Sequence, residues 1–383
     1  MKIAVISMIR EPWGGSEELW ASMASEALSE GHTVIHSTFI FDRNSPKEEM
    51  LIKEGMIHIG RTGFFKPGLP VPVRILRKFL LRIRNIFSNP FAAVFAFNPD
   101  LVIYNGTCYS IVGETHLLQI LRKKNTPYVI IGQLSSEDGK EITDREAVAL
   151  REIYREAKKV FFVSKRGYQN ACKRIDRPIP NGQVIRNPVN ITSFDTEPFP
   201  TSATAQLAMV GLLRIVHKGQ DIALKALAGE AWKNRDWHLN IYGSGEDESL
   251  LRRLVQDLNL QNRVSFHGRV QDIRRLWADN QLLLMPSLME GMPLAVVEAM
   301  ICGRPAVVSD VGGHKEWIEE GVHGWIAGTP ADFASALEKA WMQRAEWEEM
   351  GLQAHRRAML LCDPAPGKTL LMLLKNIIPA QDR

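Results

Sequence analysis

Short apolar runs alternate with amphipathic stretches along all 383 residues of the chain. Lys2–Ser7 reads as a strand, Gly14 and Gly15 as a turn, and Ser16 to about Glu30 as a helix ended by Gly31. Thr33–Ser37 is then the next strand. Strand, glycine turn, helix and strand is the order of a right-handed βαβ unit in a parallel sheet. Further strands of this half are expected at Leu101–Tyr104, Tyr128–Ile131 and Lys159–Val163, and the pattern closes near Ile185–Pro188. Residues 190–205 are rich in Thr, Ser and Pro and read as a linker.

A second series starts at Ala205–Val210 and continues with His238–Tyr242, Val264–His267, Leu282–Met285, Ala306–Ser309 and Gly324–Ala327. A last helix, Lys368–Ile378, follows Pro364 and Pro366. The fold class is therefore α/β with two parallel-sheet domains, residues 1–189 and 190–363, and a C-terminal segment 364–383. Two such domains imply a cleft for a ligand between them.

The composition, 45% hydrophobic and 23% charged, is that of an ordinary globular chain. The four cysteines Cys108, Cys172, Cys302 and Cys362 form no C-x-x-C pair, which argues against a disulfide framework or a cysteine zinc site and fits a cytoplasmic location. The run Ile3–Ile9 is too short for a secretory core, and no stretch approaches the roughly 18 apolar residues of a spanning helix. His58, His116, His217 and His314 show no metal-ligand spacing, so no metal is expected. The sequons at Asn105 and Asn190 read as accidental in a cytoplasmic chain.

Charge is uneven. Residues 1–190 hold 27 Lys+Arg against 19 Asp+Glu, and the rest holds 20 against 24. A basic first half suggests an anionic partner there. No basic stripe interleaved with aromatics marks a nucleic-acid module, so nucleic acid is not expected. No acidic residue occurs between Glu54 and Asp100, and Val73–Phe87 reads as a basic, strongly apolar helix. Its Arg74, Arg77, Lys78, Arg82 and Arg84 make an anionic membrane surface the candidate partner, on the inner face of the membrane. The plain alternative is a helix with its apolar side on the core and its arginines in water.

The segment Leu282–Asp310 carries the chemistry. A buried strand ends at Pro286, a loop runs from Ser287 to Met292, and Pro293 suits the first position of a helix that reaches about Cys302. Gly303 is placed to cap that helix and Pro305 stops it. A loop at the end of a parallel strand and the start of a helix offers backbone N–H groups and a dipole to an anion. Gly291 permits close approach of a ligand. Glu290 and Glu298, about two turns apart, suit two separated parts of an elongated ligand, because carboxylates accept from the paired hydroxyls of a sugar.

Glu290 and Glu298, with Gly-Met-Pro between them and the strand, helix and G-R-P exit around them, resemble the E-x7-E signature of retaining glycosyltransferases with the GT-B fold, family four. Gly211 to Gly219 resembles that family's G-R-L…K-G loop, Tyr242 to Gly245 its strand-ending G-x-G, and Asp310 to Gly313 with Glu316 the turn after its E-x7-E unit. The resemblance implies a GT-B pair of Rossmann-like domains, with the C-terminal helix returning to the first. It also implies a hexose transfer from a UDP- or GDP-linked sugar to a glycan or lipid-linked acceptor in cell-surface polysaccharide or glycolipid assembly, with no cofactor and no metal. Glu298 would hold the ribose hydroxyls and Glu290 would face the donor sugar. The backbone at Gly291, Met292 and Leu294 would touch sugar and phosphate, and Lys218 would bind the diphosphate. Gly211, Gly243 and Arg269 would complete the donor pocket, with Arg269 near the base, and Gly15 would bring the first domain to the phosphate.

The sequence departs from that family at three places. Leu212 stands where the family has its phosphate-clamping arginine, and Arg214 is the nearest substitute. Gln133 stands where members often have a histidine on the acceptor and sugar side; it can donate a hydrogen bond but carries no proton. Glu17 and Glu18 follow Gly15 and compete with a phosphate there. A nucleotide-sugar epimerase on the same fold and a non-catalytic glycan- or partner-binding member are the alternatives. The sequence leaves the oligomeric state open.

Overall fold

The computed structural model describes residues 1–42, 45–62, 71–137 and 142–378, and for a few positions within 71–87 the backbone only. The chain divides into two compact units. The first is Met1–Pro188 with the chain from Pro364 on, and the second is Val189–Asp363.

The first unit holds a seven-stranded sheet in the order β3-β2-β1-β4-β5-β6-β7. Its strands are β1 (Lys2–Ser7), β2 (Thr33–Phe39), β3 (Ile57–Arg61), β4 (Leu101–Gly106), β5 (Tyr128–Gly132), β6 (Lys159–Phe162) and β7 (Gly182–Val184). All pairs are parallel, and β1 lies between β2 and β4 with Ile3 opposite Val34 and Leu101. The second unit holds six parallel strands in the order β10-β9-β8-β11-β12-β13. They are β8 (Ala205–Val210), β9 (Trp237–Tyr242), β10 (Val264–Gly268), β11 (Leu282–Met285), β12 (Ala306–Ser309) and β13 (Gly324–Ala327). Central strands such as β11 and β12 are buried at every residue, which is why they read as continuous apolar runs.

The strands that sequence patterning misses are β3 and β7. Both are edges of the sheet. β3 is half-buried over most of its length and β7 throughout, so neither shows a continuous apolar run. The helix after Gly15 begins with one 3-10 turn, Gly15–Glu17, before the α-helix Glu18–Ser29. The last helix is Pro366–Lys375, earlier than the sequence suggested, and it packs on helix Glu18–Ser29.

Residues 190–205 are not a loose linker. Arg304, a fully buried guanidinium, donates to the carbonyls of Glu197 and Pro198 as well as to Trp277 and Asn280. Gln281 Nε2 donates to Pro200 O at 2.9 Å, and Arg274 donates to the Ser193 and Asp195 carbonyls. The segment is therefore stitched to the second unit. Trp325 packs in the core of this unit and Trp317 is fully buried.

Candidate functional site

The strand order of the second unit reverses between β8 and β11, the position in an open parallel sheet where loops diverge and leave room for a ligand. Four loops gather at the carboxyl ends of β8, β9, β11 and β12, and glycine lets them touch backbone to backbone. Gly243, with φ of +130°, lies so close to Gly211 that a Cβ would sit 1.8 Å from the Gly211 carbonyl oxygen. Gly312, with φ of +52°, likewise abuts the Glu290 carbonyl, where a Cβ would fall at 2.1 Å. The Gly313 amide donates to Gly291 O at 2.9 Å, so the turn after β12 fixes the loop after β11. The amides of Leu288 and Met289 both donate to His217 O, at 2.8 and 3.1 Å, which ties the loop after β8 to the same place.

These ties bring Lys218 and Glu290 together. Lys218 Nζ donates to Glu290 Oε1, and Ser287 Oγ donates to the same oxygen at 2.8 Å. Glu290 is buried and Lys218 half-buried. Lys218 also lines a small pocket with Gly211, Gln220, Pro286 and Ser287. His217 beside it has its imidazole pKa held below the ordinary value by burial and by the charges of Arg214 and Lys218.

Glu298 lies in the helix Leu294–Ile301, which is capped by Pro293 rather than beginning with it. Glu298 is 4% exposed, and its Oε1 accepts from the Asn190 amide at 3.0 Å and from Asn190 Nδ2 at 3.3 Å. Glu290 and Glu298 thus stand with different partners. Met292 is buried and Gly291 and Leu294 half-buried at the start of this helix, where first-turn amides have no acceptor within the helix. Arg269 Nε donates to Ser244 Oγ at 3.0 Å, and the Gly243 amide to Gly268 O at 2.7 Å. Arg214 Nε lies 2.9 Å from Glu246 Oε1, an exposed partner on the neighbouring loop. The Leu212 carbonyl accepts from Gln220 Nε2 at 2.8 Å.

In the first unit Asn105, near the end of β4, joins residues that follow β1, β5 and β7 in a buried polar chain. Asn105 Nδ2 donates to Glu17 Oε1 at 2.8 Å, Gln133 Nε2 to Asn105 Oδ1 at 3.0 Å, and Asn187 Nδ2 to Gln133 Oε1 at 2.9 Å. Both ends of the Gln133 amide are engaged within the protein, and the side chain is buried. Glu17 also accepts from Trp20 Nε1 at 2.9 Å, and burial raises its carboxyl to about 7. Gly15 opens the 3-10 turn that carries Glu17. Helix Val71–Phe87 leaves Ile75, Leu76, Phe79 and Leu80 exposed, with Lys78 and Arg84 exposed beside them and Arg77 half-buried. The side chains of Arg74 and Arg82 lie outside the described residues.

Residues 204–343, which contain the Lys218–Glu290 pair, match the family of glycosyl transferases group 1. The chain is 34% identical over 132 residues to an uncharacterized glycosyltransferase of Haemophilus influenzae, across 33% of this chain and 37% of that protein. It is 30% identical over 175 residues to the amylovoran biosynthesis glycosyltransferase AmsK of Erwinia amylovora, across 42% of each. The aligned segments therefore span less than half the length of these relatives. The structure of Anabaena HepE in complex with UDP and glucose superposes with a TM-score of 0.75 at 19% identity, covering 98% of this chain and all of that one. This likeness and the two parallel sheets identify the fold as GT-B.

Within the matched segment, sequence reasoning missed Ser287, which braces Glu290, and Asp247, whose carboxylate accepts from the Ile215 amide at 2.8 Å and so shapes the loop carrying Lys218. Just outside it, Asn190 on Glu298 was missed as well. A serine three residues before Glu290 was the one local signal; the other two partners come from distant segments.

Proposed function

We propose that the chain is a retaining glycosyltransferase. It moves a hexose from a UDP- or GDP-linked sugar to a glycan or lipid-linked acceptor in cell-surface polysaccharide or glycolipid assembly, with no metal at the donor site. The observation that carries this reading is Lys218 seated against Glu290 at the strand-order reversal of the second unit. The names of the relatives and the nucleotide and sugar held by HepE support the same reading.

In this reading the bond from the sugar's anomeric carbon to the diphosphate breaks, and a bond to the acceptor oxygen forms on the same face. The acceptor's hydroxyl proton passes to the departing phosphate. The diphosphate gains negative charge as it leaves. Lys218 and the start of helix Leu294–Ile301 offer positive potential there. Once a phosphate draws Lys218 away, the Glu290 carboxylate is left to accept from sugar hydroxyls. Glu298, with Asn190 holding one of its oxygens, takes the ribose hydroxyls. Gly211, Gly243, Arg269, Gly291, Met292 and Leu294 wall the donor, and Gly15 of the first unit approaches the phosphate.

The first unit takes the acceptor, at the inner face of an anionic membrane. The exposed apolar residues Ile75, Leu76, Phe79 and Leu80, set among basic ones, support this. Among the described residues no helix is long and apolar enough to cross a membrane.

The test is a thermal-shift panel of UDP, GDP and ADP, followed by their sugars with and without acceptor, with products read by NMR. Binding of one diphosphate and a product that keeps the donor's anomeric configuration is expected. A changed sugar without acceptor would mark an epimerase, and no binding of any diphosphate a non-catalytic protein.

A further inference from the structure

We propose that His36, Glu48 and His58, in the first unit, form a binding site for a divalent transition-metal cation of the zinc class. His36 lies on β2 and His58 directly opposite it on β3. Glu48 comes from the crossover helix Pro46–Lys53, whose start is fixed by Ser45, which accepts from the Glu48 amide at 3.0 Å. The fold thus brings three ligands of two types together from three consecutive elements.

Glu48 Oε1 lies 2.9 Å from His36 Nδ1 and 3.0 Å from His58 Nδ1, and the three atoms fall within 4.8 Å of one another. Both contacts are at ion-pair distance, but neither meets hydrogen-bond geometry, so the two imidazole nitrogens and the carboxylate oxygen are held together by charge alone. His36 is 2% exposed and Glu48 1%, so incompletely satisfied polar atoms are costly here. His36 Nε2 also has no hydrogen-bond partner, and the ring stacks on Trp20 at 4.2 Å, which fixes its plane.

A shared cation resolves this. Imidazole nitrogen and carboxylate oxygen are the ligands zinc takes, and about 2.0–2.1 Å from the metal, tetrahedral neighbours stand roughly 3.3 Å apart. The two Nδ1–Oε1 separations are close to that. The His58 side chain is 22% exposed, which gives the ion a way in and a place for water as a further ligand. The bound ion would lock β2, its crossover helix and β3 together.

The test uses the full chain, stripped with a chelator and dialysed, then titrated with cobalt(II) and zinc(II). We expect one equivalent of cobalt to bind with visible d–d bands of a low-symmetry N/O site, and zinc to displace it. His58→Ala, at the most exposed ligand, and Glu48→Gln should each abolish stoichiometric uptake while circular dichroism shows the fold retained. If a variant unfolds, the wild-type titration still decides whether an equivalent binds. No equivalent bound by the wild type overturns the proposal, as does uptake by folded His58→Ala and Glu48→Gln equal to that of the wild type.

Discussion

Lys218 donates to the carboxylate of Glu290 across 72 residues of sequence, and both groups belong to the same wall of loops. Each satisfies the other's charge in the absence of a ligand. On the proposed function, a diphosphate entering this pocket would exchange one anion for another at the lysine, keeping the positive charge paired while releasing the carboxylate to the sugar. The pair would then act as one unit in donor binding.

Lys218→Ala is expected to lower kcat/KM by about 100- to 1000-fold, the usual loss when one donor to a developing oxyanion is removed. Release of nucleoside diphosphate in a coupled assay measures it. Near-normal turnover would show that Arg214 or the helix start suffices, despite the pairing of Arg214 with Glu246.

Glu298→Ala should act on both binding and stability. On the proposed function the ribose hydroxyls would lose their acceptor, and calorimetry should show nucleotide affinity falling by about 10- to 100-fold. The Asn190 amide, which donates to Glu298 at 3.0 Å, loses its acceptor too, and denaturation should show a loss of about 1–3 kcal/mol. Unchanged affinity with lowered stability would make Glu298 a structural carboxylate alone.

Much of this site was legible in the sequence because Leu282–Ser309 is local. A buried strand, a glycine loop and a capped helix each leave their mark within a few residues, and Gly303 does take the positive φ, +78°, expected of a C-terminal cap. What could not be read is whatever depends on tertiary approach. The partner of Glu290 comes from the loop after β8, and the partner of Glu298 from a stretch that reads as a linker. Arg304 looks like part of a helix exit, yet it anchors that stretch. His36, Glu48 and His58 lie on three elements, and β3, a poorly patterned edge strand, hides their convergence.

Gln133→Ala is expected to destabilise the first unit by about 2 kcal/mol, because it removes the acceptor for Asn187 Nδ2 and the donor for Asn105 Oδ1 in a buried setting. Chemical denaturation checks this. A variant as stable as the wild type, with acceptor KM alone raised, would place Gln133 on the acceptor side.

Glu17 should make stability depend on pH. Burial raises its carboxyl from 4.5 to about 7, against the opposing hydrogen bonds of Ser7, Trp20 and Ser16, and the nearby Glu48 charge raises it further. The folded state therefore holds the proton more tightly than the unfolded one. The stabilisation this brings is complete below about 4.5 and is lost as pH rises through about 7. For a fully buried group the whole span is on the order of 3 kcal/mol. Glu17→Gln, a neutral mimic of the protonated acid, should remove it. The difference between the two proteins then isolates Glu17 from every other titratable group. Denaturation at pH 5 and pH 8 should show the wild type losing stability relative to Glu17→Gln at the higher pH. Parallel pH profiles would mean that Asn105 and Trp20 keep the carboxylate ionised at neutral pH.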